Sequence, residues 1–538
     1  MSTIKNRISE ALLRLSDYLE KWALEQPDHT AFIYNGQEIS YKEFEVNSRQ
    51  LARYLMELGI KKGDRLAYLM TGRPEFFYLL MAASMTGTII VGLSTRHSPR
   101  EMTYILHNSG AKYLLTLDSL KENDYQKILA QVLANTPDVQ QTWVVGQSVQ
   151  LPGAVSFQEI MQADHSSHDE ELNRRISEVG PEDGLLIVYT SGTTGKEKGA
   201  LMTHRNIISS SLVQLDEFFQ PFGTNPNDIF QHQVPVNHVS GAVEWGAAPV
   251  IGGCTSVLTD GFNPREVLEN TQKYHIPILA GVPTMWTMMF NLPDFDQYDL
   301  SSVRFCLTGG AMANKKILEE MKRISPYCVN PYGLTESCGF FTYTKVGADV
   351  ENLCQTVGRS APEFELQIFN DKNQPVARGV PGEIVLRGDS IIKQYFNDQE
   401  ATAKAIDEEN WFHTGDIGLL DENDDLHLLG RTTEMFITGG YNVYPAEIEE
   451  QIALHPEVML IAVLPIPHSL VGEVGRAYIV TVPDSSLTDE DLMNFLRDSL
   501  ADYKIPRQYI FRNSLPMTAL GKIEKKVLLQ EIKEEFDL

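Results

Sequence analysis

Leu185-Leu186-Ile187-Val188-Tyr189-Thr190-Ser191-Gly192-Thr193-Thr194-Gly195-Lys196-Glu197-Lys198-Gly199 is the run on which the reading of this chain turns. Leu185–Tyr189 is an unbroken apolar stretch, which reads as a buried strand. Hydroxyls, glycines and lysines crowd the residues after it. Glycine lets backbone N–H groups approach an anion closely, and hydroxyl and ammonium groups add donors. The ligand this composition suits is a polyphosphate. The Walker A spacing cannot be laid onto the run. Composition alone also fits a flexible surface loop.

Outward from this strand the chain alternates. Leu66–Met70, Ile89–Leu93, Tyr113–Leu117 and Thr142–Val145 read as strands, Glu43–Leu58 and Glu75–Met85 as helices. The stretch 163–178 is polar and reads as exposed. The helix Arg205–Phe219 and the strands Ile278–Ala280 and Val303–Leu307 continue the pattern. Alternation of this kind predicts a doubly wound, mostly parallel sheet. After about Gly358 short strands separated by Gly, Pro, Asn and Asp take over: Glu365–Phe369, Gly382–Arg387, Ile417–Leu420 and Leu426–Leu429. They predict a β-rich subdomain. Beyond Arg431 a compact α+β unit follows: helix Ala446–Leu454, strands Val458–Leu464 and Ala477–Val482, helix Thr488–Ser499 and a lysine-rich end. The expected fold is therefore α/β. A large N-terminal domain of doubly wound sheets and a β-rich subdomain covers 1–431, and a small C-terminal domain covers 432–538. A length of 538 residues fits more than one hydrophobic core.

Composition excludes several classes. Apolar content of 43% and charged content of 22% are those of a globular chain. A net charge of −27 argues against nucleic-acid binding, which needs a basic face. The five cysteines form no CxxC and are odd in number, which fits a reducing, cytoplasmic setting without a disulfide framework or zinc site. The start of the chain has no signal-peptide pattern, and Phe536-Asp537-Leu538 is not a peroxisomal signal. Residues 4–26 carry an amphipathic pattern whose acidic residues fit packing on the protein better than an anionic lipid surface. Phe76 to Leu93 is uncharged, but Ser84, Thr86, Gly87, Thr88 and Gly92 interrupt it. A buried helix and a short strand fit better than a membrane span, so no stable membrane insertion is expected.

Four further stretches carry candidate chemistry: Val234-Pro235-Val236-Asn237-His238-Val239-Ser240-Gly241; Asn330-Pro331-Tyr332-Gly333-Leu334-Thr335-Glu336-Ser337; Trp411-Phe412-His413-Thr414-Gly415-Asp416 with Gly430-Arg431; and Leu515-Pro516-Met517-Thr518-Ala519-Leu520-Gly521-Lys522-Ile523. Together with Tyr189–Gly199, and in this order, they resemble the motifs of the adenylate-forming superfamily. That superfamily comprises acyl-CoA synthetases, peptide-synthetase adenylation domains and firefly luciferase. Glu197 stands where the family's phosphate loop usually has proline. Gly439-Gly440, followed by Asn442-Val443-Tyr444-Pro445-Ala446-Glu447, resembles the signature of its mobile C-terminal domain.

The resemblance implies roles residue by residue. Thr190, Ser191, Gly192, Thr193, Thr194, Gly195 and Lys198 would cradle phosphate. Tyr332 would lie against adenine, Gly333 would belong to the same nucleotide site, Thr335 would contact the α-phosphate, and Glu336 would hold Mg²⁺. Asp416 would accept from the ribose hydroxyls, which suits a two-oxygen carboxylate, and Arg431 would also reach the ribose. Lys522 would be the catalytic lysine, His238 would gate the acid's pocket, and Gly439 and Gly440 would line the approach of a thiol. Thr433 falls at the family's hinge, usually Asp or Lys. The implied participants are ATP, Mg²⁺ and coenzyme A. The implied reaction is conversion of a carboxylic acid, fatty or otherwise apolar, to its acyl-CoA through an acyl-adenylate. The alternatives are an aryl or substituted acid, or another acceptor such as a carrier protein or luciferase-type oxidation. A homodimer is one assembly open to such a chain. The pocket should draw on Ser240, Gly309, Gly310, Ala311 and Gly339. Glu244 divides the expectation: facing the pocket, it asks for a donor or a cation on the substrate's tail; facing away, it leaves Trp245 to limit depth. Lys504 and Arg507 form a basic patch that would be solvated or meet coenzyme A phosphates.

Overall fold

The computed structural model describes residues 11–190, 197–219, 227–311, 313–431, 434–497, 499–518 and 521–536. Five of the seven phosphate-loop residues named above, Ser191 to Gly195, lie outside these, as do Thr432 and Thr433. Gly184–Thr190 is a strand of a seven-stranded sheet, between Ile89–Gly92 and Lys198–Thr203. Its pairing with Ile89–Gly92 is parallel, and with Lys198–Thr203 antiparallel. Arg65–Leu69, Tyr113–Leu117 and Gln141–Val145 extend the sheet in parallel. A smaller mixed sheet holds Ile229–His232, Thr255–Leu258, Thr30–Tyr34 and Gln37–Ser40.

The uncharged run folds as the helix Pro74–Thr86, then Gly87 in the left-handed region, then the strand Ile89–Gly92. Every residue of that helix except Glu75 in its first turn is buried, so beyond that turn it has no solvent face. Among the described residues no helix is long and apolar enough to cross a membrane. The segment read as exposed, 163–178, instead holds the helix Asp169–Glu178, with Leu172 and Arg175 buried. One leucine on an otherwise charged helix is too weak a periodic signal to announce it. The helix expected over Arg205–Phe219 is α-helical only to Gln214; Leu215–Phe219 winds as a π-turn.

A parallel three-stranded sheet, Ile278–Gly281, Phe305–Thr308 and Cys328–Val329, ends at the glycine run 309–310. Tyr332–Leu334 pairs antiparallel with Gly339–Tyr343. The β-rich part is one antiparallel sheet, Glu365–Phe369, Gly382–Arg387, Phe412–Leu420 and Leu426–Arg431. Its third strand starts earlier than the sequence suggests, so the His413–Asp416 motif lies on the strand itself. From Phe436 onward a separate sheet forms around the long hairpin Val458–His468 and Gly472–Thr481, with its own two apolar clusters. All five cysteines are free thiols.

Candidate active site

The strand pair Gly184–Thr190 and Lys198–Thr203 brings Thr190 opposite Lys198 at the mouth of the phosphate-loop run. The Lys198 ammonium stands 5.3 Å from the centre of the Tyr395 ring. The Tyr395 hydroxyl donates to Glu336 Oε1 at 2.6 Å. One tyrosine thus links the phosphate-loop lysine to the carboxylate expected to hold a metal. Tyr395 is positioned by backbone pairing of its segment with the strand Lys198–Thr203, where Phe396 N donates to Gly199 O at 2.7 Å. Glu197 turns its carbonyl to the Tyr104 hydroxyl at 2.9 Å. Burial, reinforced by Glu101, pushes its carboxyl up to about 7, while Lys526 of the C-terminal domain pulls the other way.

The ribose-binding candidates meet on adjacent strands. Asp416 and Arg431 are register partners, and Arg431 Nε donates to Asp416 Oδ1 at 3.0 Å. The Tyr332 hydroxyl donates to Asp416 Oδ2. Asp416 is buried, and burial raises its carboxyl above the usual range against the pull of Arg431 and Tyr332. The Tyr332 ring packs edge-on against Phe341, 4.8 Å between centres. Gly333 has no room for a side chain, because a Cβ there would stand 2.3 Å from Gly339 O. Thr335 sits in the turn that follows, its carbonyl accepting from Cys338 N at 3.0 Å.

Lys522 reaches this cleft from the C-terminal domain. A Cβ on Gly310 would stand 3.0 Å from Lys522 Cε and 3.4 Å from Nζ. Gly310 also has φ +79°, a backbone conformation that favours glycine. Among the described residues, two hydrogen bonds tie the loop carrying Lys522 to the N-terminal domain. Thr284 Oγ1 donates to Gly521 O at 2.7 Å, and Arg96 Nη1 donates to Thr518 O at 3.2 Å. Protein mass around the ammonium lowers its pKa, as does Arg431, while Asp416 and Glu244 oppose this. Lys525, three residues on, is held by Glu434 at 2.7 Å and Glu449 at 2.9 Å. His238 precedes the π-turn Ser240–Ala247. Burial pushes its imidazole down to about 4, helped by Lys522 and His97, so it is neutral at pH 7.

The acid-pocket candidates converge beside Lys522. Glu244 is buried and lines a small cavity with Gln214, Trp245, Ile278, Phe305 and Phe340. Gly309 packs under the Phe340 ring, and Gly339 under Gln214, Ser210 and Glu244. Ser240 begins the π-turn, and Ala311 follows Gly310 at the exposed rim. Gly439 and Gly440 form the exposed tight turn between Phe436–Thr438 and Tyr441–Val443. The neighbour that a Cβ on Gly439 would meet is Val471, within the C-terminal domain; the cleft holds Lys522 instead. Lys504 is paired with Glu447 and Arg507 with Asp502, so the basic patch is largely neutralised.

Sequence reasoning missed Tyr395, Thr284, Arg96 and Gln214. Tyr395, Thr284 and Arg96 carry no motif. A signal did exist for Gln214: the helix His204–Gln214 buries the serine run 209–211 and Gln214 itself, and polar residues on a fully buried helix need partners.

With this geometry in hand, comparison with known proteins is direct. The AMP-binding enzyme family model matches residues 19–396, and the C-terminal domain model of AMP-binding enzymes matches 447–522. The chain belongs to the AMP-binding enzyme family. Within it, the chain is of the acid–CoA ligase type of adenylate-forming enzyme. It is similar to a methyl-dioxo-octahydro-indenyl-propanoyl:CoA ligase of Mycobacterium tuberculosis, 31% identical, covering 95% of this chain and 97% of that one. It is similar also to a long-chain-fatty-acid–CoA ligase of Escherichia coli O157:H7, 29% identical, covering 97% and 95%. Among solved structures, ATP-bound MatB from Rhodopseudomonas palustris superposes with a TM-score of 0.85 at 26% identity, covering 97% of this chain and 99% of that one.

Proposed function

We propose that this chain is an ATP-dependent ligase that converts a fatty or other apolar carboxylic acid to its coenzyme A thioester, releasing AMP and pyrophosphate. The observation that carries this is Lys522, lodged against Gly310 between the acid pocket at Glu244 and the Asp416–Arg431 pair. A cation there stands where a carboxylate and an α-phosphate would meet.

A carboxylate is a poor acyl donor, because its leaving group would be oxide. Its transfer to the α-phosphate forms a mixed anhydride and expels pyrophosphate. No base is needed, since a carboxylic acid of pKa ~4–5 is already ionised at pH 7. The obstacle is repulsion between two anions. Lys522 offsets it at the bridging oxygens, and Lys198 does so at the phosphates. Thr335 contacts the α-phosphate, and Asp416 and Arg431 fix the ribose. Tyr395 occupies one oxygen of Glu336 and leaves the other as a hard donor. Among the described residues no group of three acidic, His or Cys side chains gathers as a metal cage. A single carboxylate, completed by phosphate and water, fits Mg²⁺, which when bound would neutralise charge on the pyrophosphate. His238 remains neutral and so can wall the carboxylate's entry without competing with Lys522.

The thiol of coenzyme A then attacks the acyl carbon and AMP leaves. Lys522 must withdraw for the thiol to enter, and Gly439–Gly440 supply a backbone surface for it. We assign the pivot to Thr433 by position, with 1–431 and 432–538 as the two bodies. Free thiols throughout the chain suit a cytoplasmic setting. The test is a panel of carboxylic acids assayed for AMP release with and without coenzyme A. Acid-dependent release that rises with coenzyme A supports the reading; release that is independent of coenzyme A for every acid overturns the choice of acceptor.

A further inference from the structure

The end of the acid pocket is not apolar. Glu244 has 5% of its surface exposed. Burying a carboxylate without a partner costs several kcal/mol, and among the described residues Glu244 makes no ion pair. A backbone hydrogen bond from Phe340 and the charge of Lys522 are what favour its ionised form, and burial outweighs them, pushing the carboxyl up to about 8. Ser210 Oγ donates to Cys338 O at 2.7 Å, and Gln214 Nε2 donates to Ser210 Oγ at 3.2 Å. Glu244 and Gln214 both line the cavity, Glu244 through the one carboxyl there and Gln214 through its amide, which offers an acceptor oxygen. Burial, and after it the charges of Glu217, Glu244 and Glu363, raise the pKa of the Tyr343 hydroxyl. The cavity that Glu244 and Gln214 share is about 10 Å³, room for the centre of roughly one water-sized group. Its walls are the apolar faces of Trp245, Ile278, Phe305 and Leu307.

We propose that the acid this enzyme activates is compact and carries a nitrogen donor, best a protonated amine, at the end remote from its carboxylate, and that Glu244 and Gln214 receive it. The inference rests on the ligase reading above and narrows its substrate from a wholly apolar acid to one whose apolar body ends in a donor. A single small donor group fits the cavity at Glu244, and its apolar walls suit the carbon that carries that group. The two ends of such a molecule are set by the protein. Lys522 lies against Gly310, and the neighbouring Gly309 packs under the Phe340 ring that lines the Glu244 cavity, so a compact acid suits the space between them. A cation beside Glu244 converts a buried carboxyl that resists ionisation into one half of a pair. A hydrocarbon tail there leaves the carboxyl unpaired. Sites built to bond a donor reject analogues lacking it far more strongly than apolar pockets reject an extra group.

The experiment compares matched acids on the full-length enzyme: 6-aminohexanoate with hexanoate, and 4-(aminomethyl)benzoate with 4-methylbenzoate. The measurement is kcat/KM for acid-dependent AMP formation with coenzyme A, with palmitate and benzoate as plain reference acids. The amine-bearing member of at least one pair should be preferred at least tenfold. In Glu244→Leu that ratio should fall at least tenfold, and in Glu244→Gln it should fall less. Thermal melting of each variant separates a folding defect from a change in ratio. Preference for the plain members, with a ratio unmoved in Glu244→Leu, overturns the inference while leaving the ligase intact. Preference for a keto-bearing acid such as 4-acetylbenzoate over either amine also overturns it, because Glu244 would then be acting as a protonated donor. AMP release from none of these acids removes the ligase reading and this inference with it.

Discussion

Replacing Thr284 by Val and Arg96 by Ala removes two hydrogen bonds between the Lys522 loop and the N-terminal domain. Thr284→Val keeps the shape of the side chain and loses only the hydroxyl that donates to Gly521 O at 2.7 Å. Arg96→Ala removes the donor to Thr518 O at 3.2 Å. A neutral hydrogen bond contributes a net ~0.5–1.5 kcal/mol. The arginine contact is largely solvent-exposed, so it belongs in the same range rather than the higher one for charged donors. Together they favour the docked orientation by ~1–3 kcal/mol. At 1.36 kcal/mol per tenfold, that is a loss of about 5–150-fold in the step that needs Lys522 docked. The assay is acid-dependent exchange of labelled pyrophosphate into ATP, set beside thioester formation from isolated acyl-adenylate and coenzyme A. The double variant should lose exchange by that factor and keep thioester formation. Each single variant should fall between it and the wild type. Equal loss in both half-reactions, or no loss in either, would refute the idea that these two bonds hold the adenylating orientation.

Three other outcomes are expected. Lys522→Ala should lower adenylation by ~10²–10³, the cost of one preorganised charge contact, while thioester formation from supplied acyl-adenylate changes little; a parallel fall in both would remove Lys522 from its assigned role. Tyr395→Phe should raise the Mg²⁺ concentration for half-maximal exchange about 3–10-fold, because Glu336 loses a hydroxyl partner worth ~1 kcal/mol; an unchanged Mg²⁺ curve contradicts the link. Stability should fall on acidification, in part through His204, which is fully buried and whose imidazole burial pushes down to about 3. Between that value and the ordinary 6.5 the unfolded chain binds a proton that the folded one does not, so stability is present above pH 6.5 and is lost as pH falls toward 3, at ~1.4 kcal/mol per pH unit. Urea unfolding between pH 7 and 5 should show this slope, and a folded His204→Gln should show it reduced; an identical slope in the variant refutes the assignment.

Much of the fold is legible from period alone. The strands around Gly184–Thr190 are continuous apolar runs because both faces of a parallel sheet are covered, and Pro74–Thr86 with Ile89–Gly92 could be split at Gly87 because glycine alone takes that turn easily. Asp416, Arg431 and Lys522 could be named because each sits in a run of residues with a shared chemistry. Tyr395, Thr284 and Arg96 could not, because each acts through one contact to a partner far along the chain, such as Tyr395 to Glu336 or Thr284 to Gly521. Local sequence carries no trace of such a contact. Glu244 was visible as a residue but not as a direction. The π-turn Ser240–Ala247 rotates it relative to an α-helical frame, so helical spacing in the sequence does not give its direction.

The helix Pro74–Thr86 has a consequence for how this protein is made. It is covered partly by elements that precede it and partly by the helix Asp169–Glu178 and the strand Gly184–Thr190, which come much later in the chain. A ribosome adding about 5–20 residues per second needs on the order of 5–20 s to travel from Thr86 to Thr190. For that interval a solvent-averse segment, uncharged from Phe76 onward, waits for its covers. Nascent chains stalled before Asp169 should therefore be held by chaperones or aggregate, whereas chains released after Thr190 should not; a protease-protection series on stalled chains would locate the change.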